Sequence, residues 1–572
     1  MVTTVSAPGK VLIAGGYLVL DPAYTGLVLA TNARFYTSIS SFSLSGVSPQ
    51  VRVRSPQFQQ AEWIYDVHVT AMDRPENTAE AMTLVQKTDA NPFVALALLY
   101  SLHVALEFHG VELALQKLQG GMDVVIAGDN DYYSHRIDGK APTFEQLSAL
   151  PPFSPHSSTL GDVHKTGLGS SAAMTTSLVA ALLLHLEVAK LDTSSSESTI
   201  TTESLVLIHN VAQLAHCAAQ GKVGSGFDVS ASVWGSQLYR RFDPALIKDV
   251  MRTETGHRIC TPDQSRPALR SSLSLLPVLG SSNPLWIPVA PADSTPTAVE
   301  GLQSLLKSPQ TSSSRPSPLL LPPGVRMCLA DVDTGSNTRT LVGKVSDWRA
   351  KDRVWADQLY KIIAASNQSV ADGLLHLHLM YAMNQSAYID AVTTLATMPS
   401  SEWDAHCQAN PNDTLQAFIQ VRNSMRSVRA GMRELGTRSG APVEPPEMTR
   451  LLDTTIQQAH GLIGGGVPGA GGYDALFLLF LDPTVFHTSS PAPSRAPAEV
   501  CAIWQAYTEL SVGPLLCGAD EPARRVTPSG NTASSSEAMM HVAHALAQAP
   551  AGLRVPSPAS VRGLQPFIDL LA

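Results

Sequence analysis

At 572 residues the chain exceeds what one hydrophobic core usually organises, so two domains, or one domain pair with insertions, are expected. Apolar residues make up 44% and charged residues 15%, which supports a large core and excludes a wholly disordered chain. A net charge of −9 excludes a general nucleic-acid coat, and six scattered cysteines without a C-x-x-C pair exclude a disulfide frame or zinc knuckle.

The N-terminus reaches Ala7-Pro8-Gly9-Lys10 before any long apolar run, so no secretory signal is read there. Lys10–Ala14, Leu27–Thr31 and Met122–Ala127 read as strands. Asn91-Pro92, a cap followed by proline at the first helical position, opens a helix over Phe93–Phe108. That run and Ser177–Leu186 are the greasiest stretches. Both are too short or too interrupted by histidine to be read as membrane spans. A soluble, cytoplasmic protein that binds neither membrane nor nucleic acid is expected.

Lys165-Thr166-Gly167-Leu168-Gly169-Ser170-Ser171-Ala172-Ala173 then runs into a helical pattern at Met174–Val188. Glycines let backbone N–H groups approach an anion, and a helix N-terminus adds partial positive charge, so this is a phosphate-binding design. It is not a P-loop, because the lysine precedes the glycines, and taken alone it could also be a dinucleotide fingerprint ending in alanine. Leu205–Ala219 is a further helix, followed by a glycine-rich turn, Gly221-Lys222-Val223-Gly224-Ser225-Gly226-Phe227-Asp228.

From Asp263 to Pro323 the composition shifts to Ser, Pro and Leu and reads as an insertion or linker. The expected division is therefore residues 1–262, the linker 263–323, and 324–572. In the last part Val325–Val332 is strand-like and leads into a small-residue turn, Asp331–Thr338. Leu359–Met380 and Thr414–Leu435 are helical, and Gly464–Asp474 is a glycine loop that enters the strand-like run Ala475–Leu481. Ser489–Pro497 and Arg524–Ser536 read as surface loops. Loop before strand reverses the order that a dinucleotide site demands.

Taken singly, Lys10 reads as a surface lysine at a strand start and Asp228 as a turn residue bonded to its own backbone. His209, His216 and Cys217 lack firm ligand spacing and read as packing or surface residues.

In order and separation, Pro8-Gly9-Lys10, Gly167-Leu168-Gly169-Ser170-Ser171-Ala172-Ala173 and Gly469-Ala470-Gly471-Gly472 resemble the three motifs of the GHMP kinases. Gly15-Gly16-Tyr17 stands where mevalonate and galactose kinases usually carry Gly-Glu-His. With Lys165 and Lys222-Val223-Gly224-Ser225-Gly226-Phe227-Asp228, it makes the chain similar to the fungal-type phosphomevalonate kinases. The charge pattern agrees. A phosphate acceptor is already ionised, its second pKa being about 6, so the difficulty is repulsion between two polyanions. Lys10, Lys165 and Lys222 supply cations beside the glycine-rich elements.

The resemblance implies an α+β fold of two domains, ribosomal-protein-S5-like then ferredoxin-like, and ATP-dependent phosphorylation of phosphomevalonate with Mg²⁺. It implies that Lys10 and Asp228 act at the transferring phosphoryl. Gly167, Leu168, Gly169, Ser170, Ser171 and Ala172 would wrap the ATP phosphates, with Lys165 neutralising charge and Asn91 helping to seat the nucleotide. The Ser171 hydroxyl would hold Mg²⁺. Lys222, Ser225 and Ser336 would hold the acceptor, with Gly469, Ala470 and Gly471 closing from the second domain.

Two departures stand out. Mevalonate kinases carry a metal-binding glutamate eleven residues before the aspartate, where this chain has Cys217, and Arg339 stands where proline is expected. Another GHMP kinase acting on mevalonate or a sugar, and a silent nucleotide sensor, are the alternatives. Oligomeric state, monomer or homodimer, is left open.

Overall fold

The structure, a computed structural model, describes residues 2–42, 49–73, 78–89, 91–137, 139–192, 198–253, 258–260, 267–271, 274–286, 316–332, 338–486, 494–520, 535–547 and 552–569.

The first strand spans Val2–Ala14, eight residues longer at its N-terminal end than the apolar run predicts. Thr3, Thr4 and Ser6 hide the extension, because their polarity breaks the pattern. Inside the fold they are paired, Thr4 Oγ1 to Ser38 Oγ at 2.9 Å and Ser6 Oγ to the buried Arg34 guanidinium at 2.9 Å. This strand runs antiparallel to Gly26–Ser41, with a register shift between Pro8 and Lys10. From Gly26–Ser41 a mixed sheet continues outward through Met122–Gly128, Gln50–Arg54, Glu62–Asp73 and Thr78–Gln86.

Helices Pro92–His109, Ser170–His185 and Thr202–Gln220 fill the core beside this sheet. Pro92–His109 is the one described helix long and apolar enough to cross a membrane. Thirteen of its residues, Val94–Leu106, are buried in this core, which accounts for its apolarity.

Part of the expected 263–323 linker is built into the first domain. Pro267–Ser271 pairs with Thr78–Gln86, and Ser317–Pro318 pairs with Gln237–Tyr239. The Glu107 carboxylate accepts the N–H groups of Leu275 and Leu276 at 2.8 and 2.7 Å, and Trp286 rests on Phe242. Low-complexity composition concealed these contacts, since backbone pairing and a single acceptor need no apolar periodicity. Residues 287–315 lie outside the described residues.

The second domain is a four-stranded antiparallel sheet, ordered Leu462–Gly466, Ala475–Leu481, Val325–Val332, Val512–Pro514. Helices Arg353–Met383, Asp413–Ser439 and Pro446–Gln458 accompany it. Helix Arg495–Ala506 occupies part of the stretch read as the loop Ser489–Pro497. Residues 524–534 of the other expected loop lie outside the described residues, and Ser535–Ala547 is helical.

The two domains meet through apolar clusters, such as Tyr17 and Leu18 with Leu341 and Ile363, and through polar contacts. Asp331 of the second sheet receives Ser134 and Arg136, and the Asp131 carboxylate accepts Leu516 N–H at 2.6 Å. The tail crosses back: Arg554 pairs with Ser6 through the backbone, while Leu564 and Ile568 pack with Phe153. The end of the expected 324–572 unit is thus docked on the first domain.

Candidate active site

The site is built where two helices begin beside the first strand. Gly169, with φ of 81°, caps Ser170–His185, and Gly226, with φ of 80°, caps Phe227–Trp234. Left-handed backbone at both caps suits glycine, and each N-terminus directs partial positive charge outward.

Lys10 lies between them. The Gly9 bulge brings the strand against the glycine loop, and Lys10 N–H donates to Leu168 O at 2.9 Å. A Cβ on Gly9 would stand 2.7 Å from Thr31 Oγ1 and 3.1 Å from Leu168 O, so a side chain there would push the loop away. The Lys10 ammonium donates to Gly167 O at 2.6 Å and lies 5.6 Å from the Phe227 ring centroid. Burial pulls the Lys10 pKa below the ordinary lysine value, opposed by the charges of Asp228 and Asp474. Lys10 is therefore within a strand, not at a strand start.

Asp228 occupies the first turn of its helix and not the exposed loop the glycines suggested. Its Oδ1 accepts Val229 N–H at 2.9 Å, and its Oδ2 lies 3.9 Å from His216 Nε2. Ser171 reaches the same imidazole, its Oγ 3.1 Å from Nε2. The predicted Lys10, Asp228, Gly167, Leu168, Gly169, Ser170, Ser171 and Ala172 are thus one cluster. Ala172 and Ala173 N–H close the first helical turn on Gly169 O.

The remaining predicted residues divide. Lys165 is solvent-exposed on a strand-like bridge to Tyr133, its ammonium pKa lowered by the surrounding protein. Asn91 is committed to capping, its Oδ1 accepting Phe93 and Val94 N–H at 3.1 and 3.4 Å; Phe93 in turn meets the His216 ring at 5.6 Å. Lys222 is exposed on the turn before Asp228, and the Ser225 carbonyl accepts Tyr239 OH at 2.5 Å. Arg241 ties this turn by donating to Gly224 O at 2.6 Å and Leu20 O at 2.5 Å. Arg339 donates to Gln220 O at 3.1 Å, which brings the start of its helix to the same turn. Ser336 lies outside the described residues.

Gly469, Ala470 and Gly471 approach the first motif rather than the phosphate loop. The Ala470 carbonyl accepts Tyr17 OH at 2.6 Å, and a Cβ on Gly16 would come within 2.7 Å of Gly469 O. The third motif reaches the phosphate loop two residues later: a Cβ on Gly167 would lie 3.9 Å from Asp474 Cβ.

His216 and Asp474 are the residues that sequence reasoning passed over. His216 was read as packing or surface; it is buried, but against Ser171. Asp474 ends the third glycine motif, and its acidity beside a loop meant for anions was the available signal. His209 does pack, between Trp234 and Trp286.

Among the described residues no group of three or more His, Cys, Asp or Glu side chains could hold a metal alone. Burial lifts the Cys217 thiol to about 11, so it stays protonated and is no substitute for a carboxylate ligand. The Ser171 hydroxyl and the Asp228 and Asp474 carboxylates are hard oxygen donors. That set fits Mg²⁺ completed by phosphate oxygens and water.

The sequence signature of the GHMP kinases C terminal matches residues 414–505. A phosphomevalonate kinase of Arabidopsis thaliana, named peroxisomal, is 33% identical over 507 residues, covering 84% of this chain and 90% of that protein. One from Aspergillus fumigatus is 34% identical over 510 residues, covering 84% and 87%. Among solved structures, the Lin0012 protein of Listeria innocua superposes with a TM-score of 0.50 at 15% identity, over 90% of this chain and 98% of that one, a likeness of fold. A third of the residues shared with these kinases across most of both lengths leaves one assignment: the chain belongs to the phosphomevalonate kinase family.

Proposed function

We propose that the chain transfers the γ-phosphoryl group of ATP to the phosphate of (R)-5-phosphomevalonate, giving ADP and (R)-5-diphosphomevalonate on the mevalonate route to isoprenoids and sterols. The observation that carries this reading is the convergence of two helix N-termini on one half-buried lysine, with Asp228 and Asp474 acting on its charge. Such a site suits the passage of a phosphoryl group between two anions. The family relationship supports the choice of acceptor.

In this reading an acceptor phosphate oxygen attacks the γ-phosphorus while the bond to the β–γ bridging oxygen breaks and ADP leaves. The acceptor is ionised already, so Asp228 orients it and no strong base is required. Lys10 meets the charge that develops on the transferring group. Gly167, Leu168, Gly169, Ser170, Ser171 and Ala172 hold the ATP phosphates, with Lys165 at the edge of the loop and Asn91 shaping the nucleotide side through its helix cap. Lys222 and Ser225 face the acceptor, and Ser336 completes that side in the motif reading. Gly469, Ala470 and Gly471 hold the second domain against it. Ser171 would hold Mg²⁺, which would neutralise phosphate charge.

An ADP-release assay offering mevalonate, phosphomevalonate, diphosphomevalonate and galactose in parallel tests the reading. Turnover confined to phosphomevalonate is expected; turnover confined to a non-phosphorylated acceptor overturns it. We infer the cytoplasm as the compartment, from cysteines that are free wherever their side chains are described. Cell fractionation decides between it and the peroxisome named for the Arabidopsis relative.

A further inference from the structure

His216 lies near the C-terminal end of the Thr202–Gln220 helix, buried, with its ring against Phe93. Three groups surround its Nε2: Ser171 Oγ at 3.1 Å, Gln220 Nε2 at 3.3 Å and Asp228 Oδ2 at 3.9 Å. A serine hydroxyl in the first turn of a helix turns to water or to a neighbouring side chain, because the carbonyl four residues earlier precedes the helix. For Ser171 that carbonyl is Gly167 O, which already receives the Lys10 ammonium at 2.6 Å. The hydroxyl turns to His216 instead. On the tautomer that carries its proton on Nδ1, the single Nε2 lone pair accepts the Ser171 hydroxyl. Ser171 then donates its hydrogen to the ring and keeps its oxygen lone pairs for a cation.

We propose that His216 is a positioning residue that acts through Ser171, holding the serine hydroxyl in the one orientation that serves the cation bound with the nucleotide. This rests on the reading of Ser171 given above. A partner that orients a ligand is as consequential as many ligands are, because a freely rotating hydroxyl presents its hydrogen to the cation part of the time. His216 also stands where Ser171 and Asp228, from different helices, border one atom, so the same ring sets the spacing between the nucleotide and acceptor sides.

The test is a double-mutant cycle on the full chain, read by calorimetric binding of Mn²⁺·ADP without acceptor, together with the thermal midpoint. His216→Leu should weaken Mn²⁺·ADP binding about tenfold. His216→Gln, whose amide reaches the Nε2 position, should restore most of it, and His216→Asn, which reaches only the Nδ1 position, should not. In a Ser171→Ala background His216→Leu should cost nothing further. Full additivity of the two substitutions overturns the proposal, as does a fall in thermal midpoint with Mn²⁺·ADP affinity unchanged. If Ser171→Ala alone leaves that affinity unchanged, the reading of Ser171 falls and this proposal with it. Should His216→Leu fail to fold, the Gln and Asn pair carries the same comparison.

Discussion

Two glycine-rich loops stand on either side of the site, and their glycines serve different ends. In Gly167–Gly169 the space that a Cβ would take is bordered without overlap at Gly167, by Asp474 and Ala475 at 3.9 and 4.0 Å, and bounded at Gly169 by the Lys10 side chain, with Cε at 3.0 Å. Those glycines keep room for a cation and for whatever anion it meets. In Gly469–Gly472 the space is open at Gly469 but filled by backbone at Gly471, where a Cβ would overlap the Val443 carbonyl oxygen, and Gly472 N–H donates to that same oxygen at 2.9 Å. Those glycines let chain approach chain. One loop is shaped for a ligand and the other for its neighbours, although their sequences look alike.

The largest effect should come from the cation that the first loop surrounds. Lys10→Ala is expected to lower kcat by about 10³-fold, or about 4 kcal/mol of transition-state stabilisation, with nucleotide binding retained in calorimetry. A wild-type rate would show that the first loop does not frame the chemistry. The pH profile gives a second check. Burial lowers the Lys10 pKa, and only the protonated ammonium stabilises negative charge. Activity should therefore fall as pH rises through a value below that of an ordinary lysine, about 10.4. A rate that is flat up to the ordinary lysine range would remove Lys10 from that role.

For the second loop the loss should be structural. Gly471→Ala sets a methyl group against backbone that cannot rotate away, at φ of 80°, and should destabilise the fold by about 3 kcal/mol, read as a lower thermal unfolding midpoint. Any fall in kcat should match the folded fraction. A large kcat loss at full stability would make the second loop part of the phosphate site after all.

Much of this was legible in the sequence, and the failures have physical causes. Ala475–Leu481 matches its strand end to end, because a buried strand in a sheet covered on both faces reads as a continuous apolar run, and Val325–Val332 matches through the alternation of Val325, Met327 and Leu329 with less buried neighbours. The first eight residues of the opening strand did not, since buried Thr4 and Ser6 are satisfied by partners far away in sequence. The loop residues Gly167–Ala172 and the pair Lys10 and Asp228 stood out through the order and separation of the motifs, since singly Lys10 reads as a surface lysine and Asp228 as a turn residue. His216 was not legible. Its role depends on two helices bringing it to Ser171, forty-five residues earlier, and on Lys10 occupying Gly167 O. No spacing rule within one helix carries that information.

A smaller effect separates the loops again. Gly169→Ala adds a methyl group beside the flexible end of Lys10, at φ of 81°. The lysine yields and the fold survives, so kcat should fall about tenfold while stability drops by about 1 kcal/mol for the left-handed backbone. Equal losses in Gly169→Ala and Gly471→Ala, in both kcat and midpoint, would erase the distinction between the two loops.

The smallest change probes the tether that holds the second loop. Tyr17 itself sits at φ of 61°, an uncommon conformation for a bulky side chain, and its hydroxyl donates to Ala470 O at 2.6 Å. Tyr17→Phe keeps the ring and the backbone but removes that donor, leaving a carbonyl at the domain boundary to find water. A loss of about 1 kcal/mol is expected in the thermal midpoint, with kcat within about threefold of wild type. A kcat loss comparable to that of Gly169→Ala would mean that the tether sets the position of Asp474 beside Gly167, and that the ligand loop and the packing loop work as one unit.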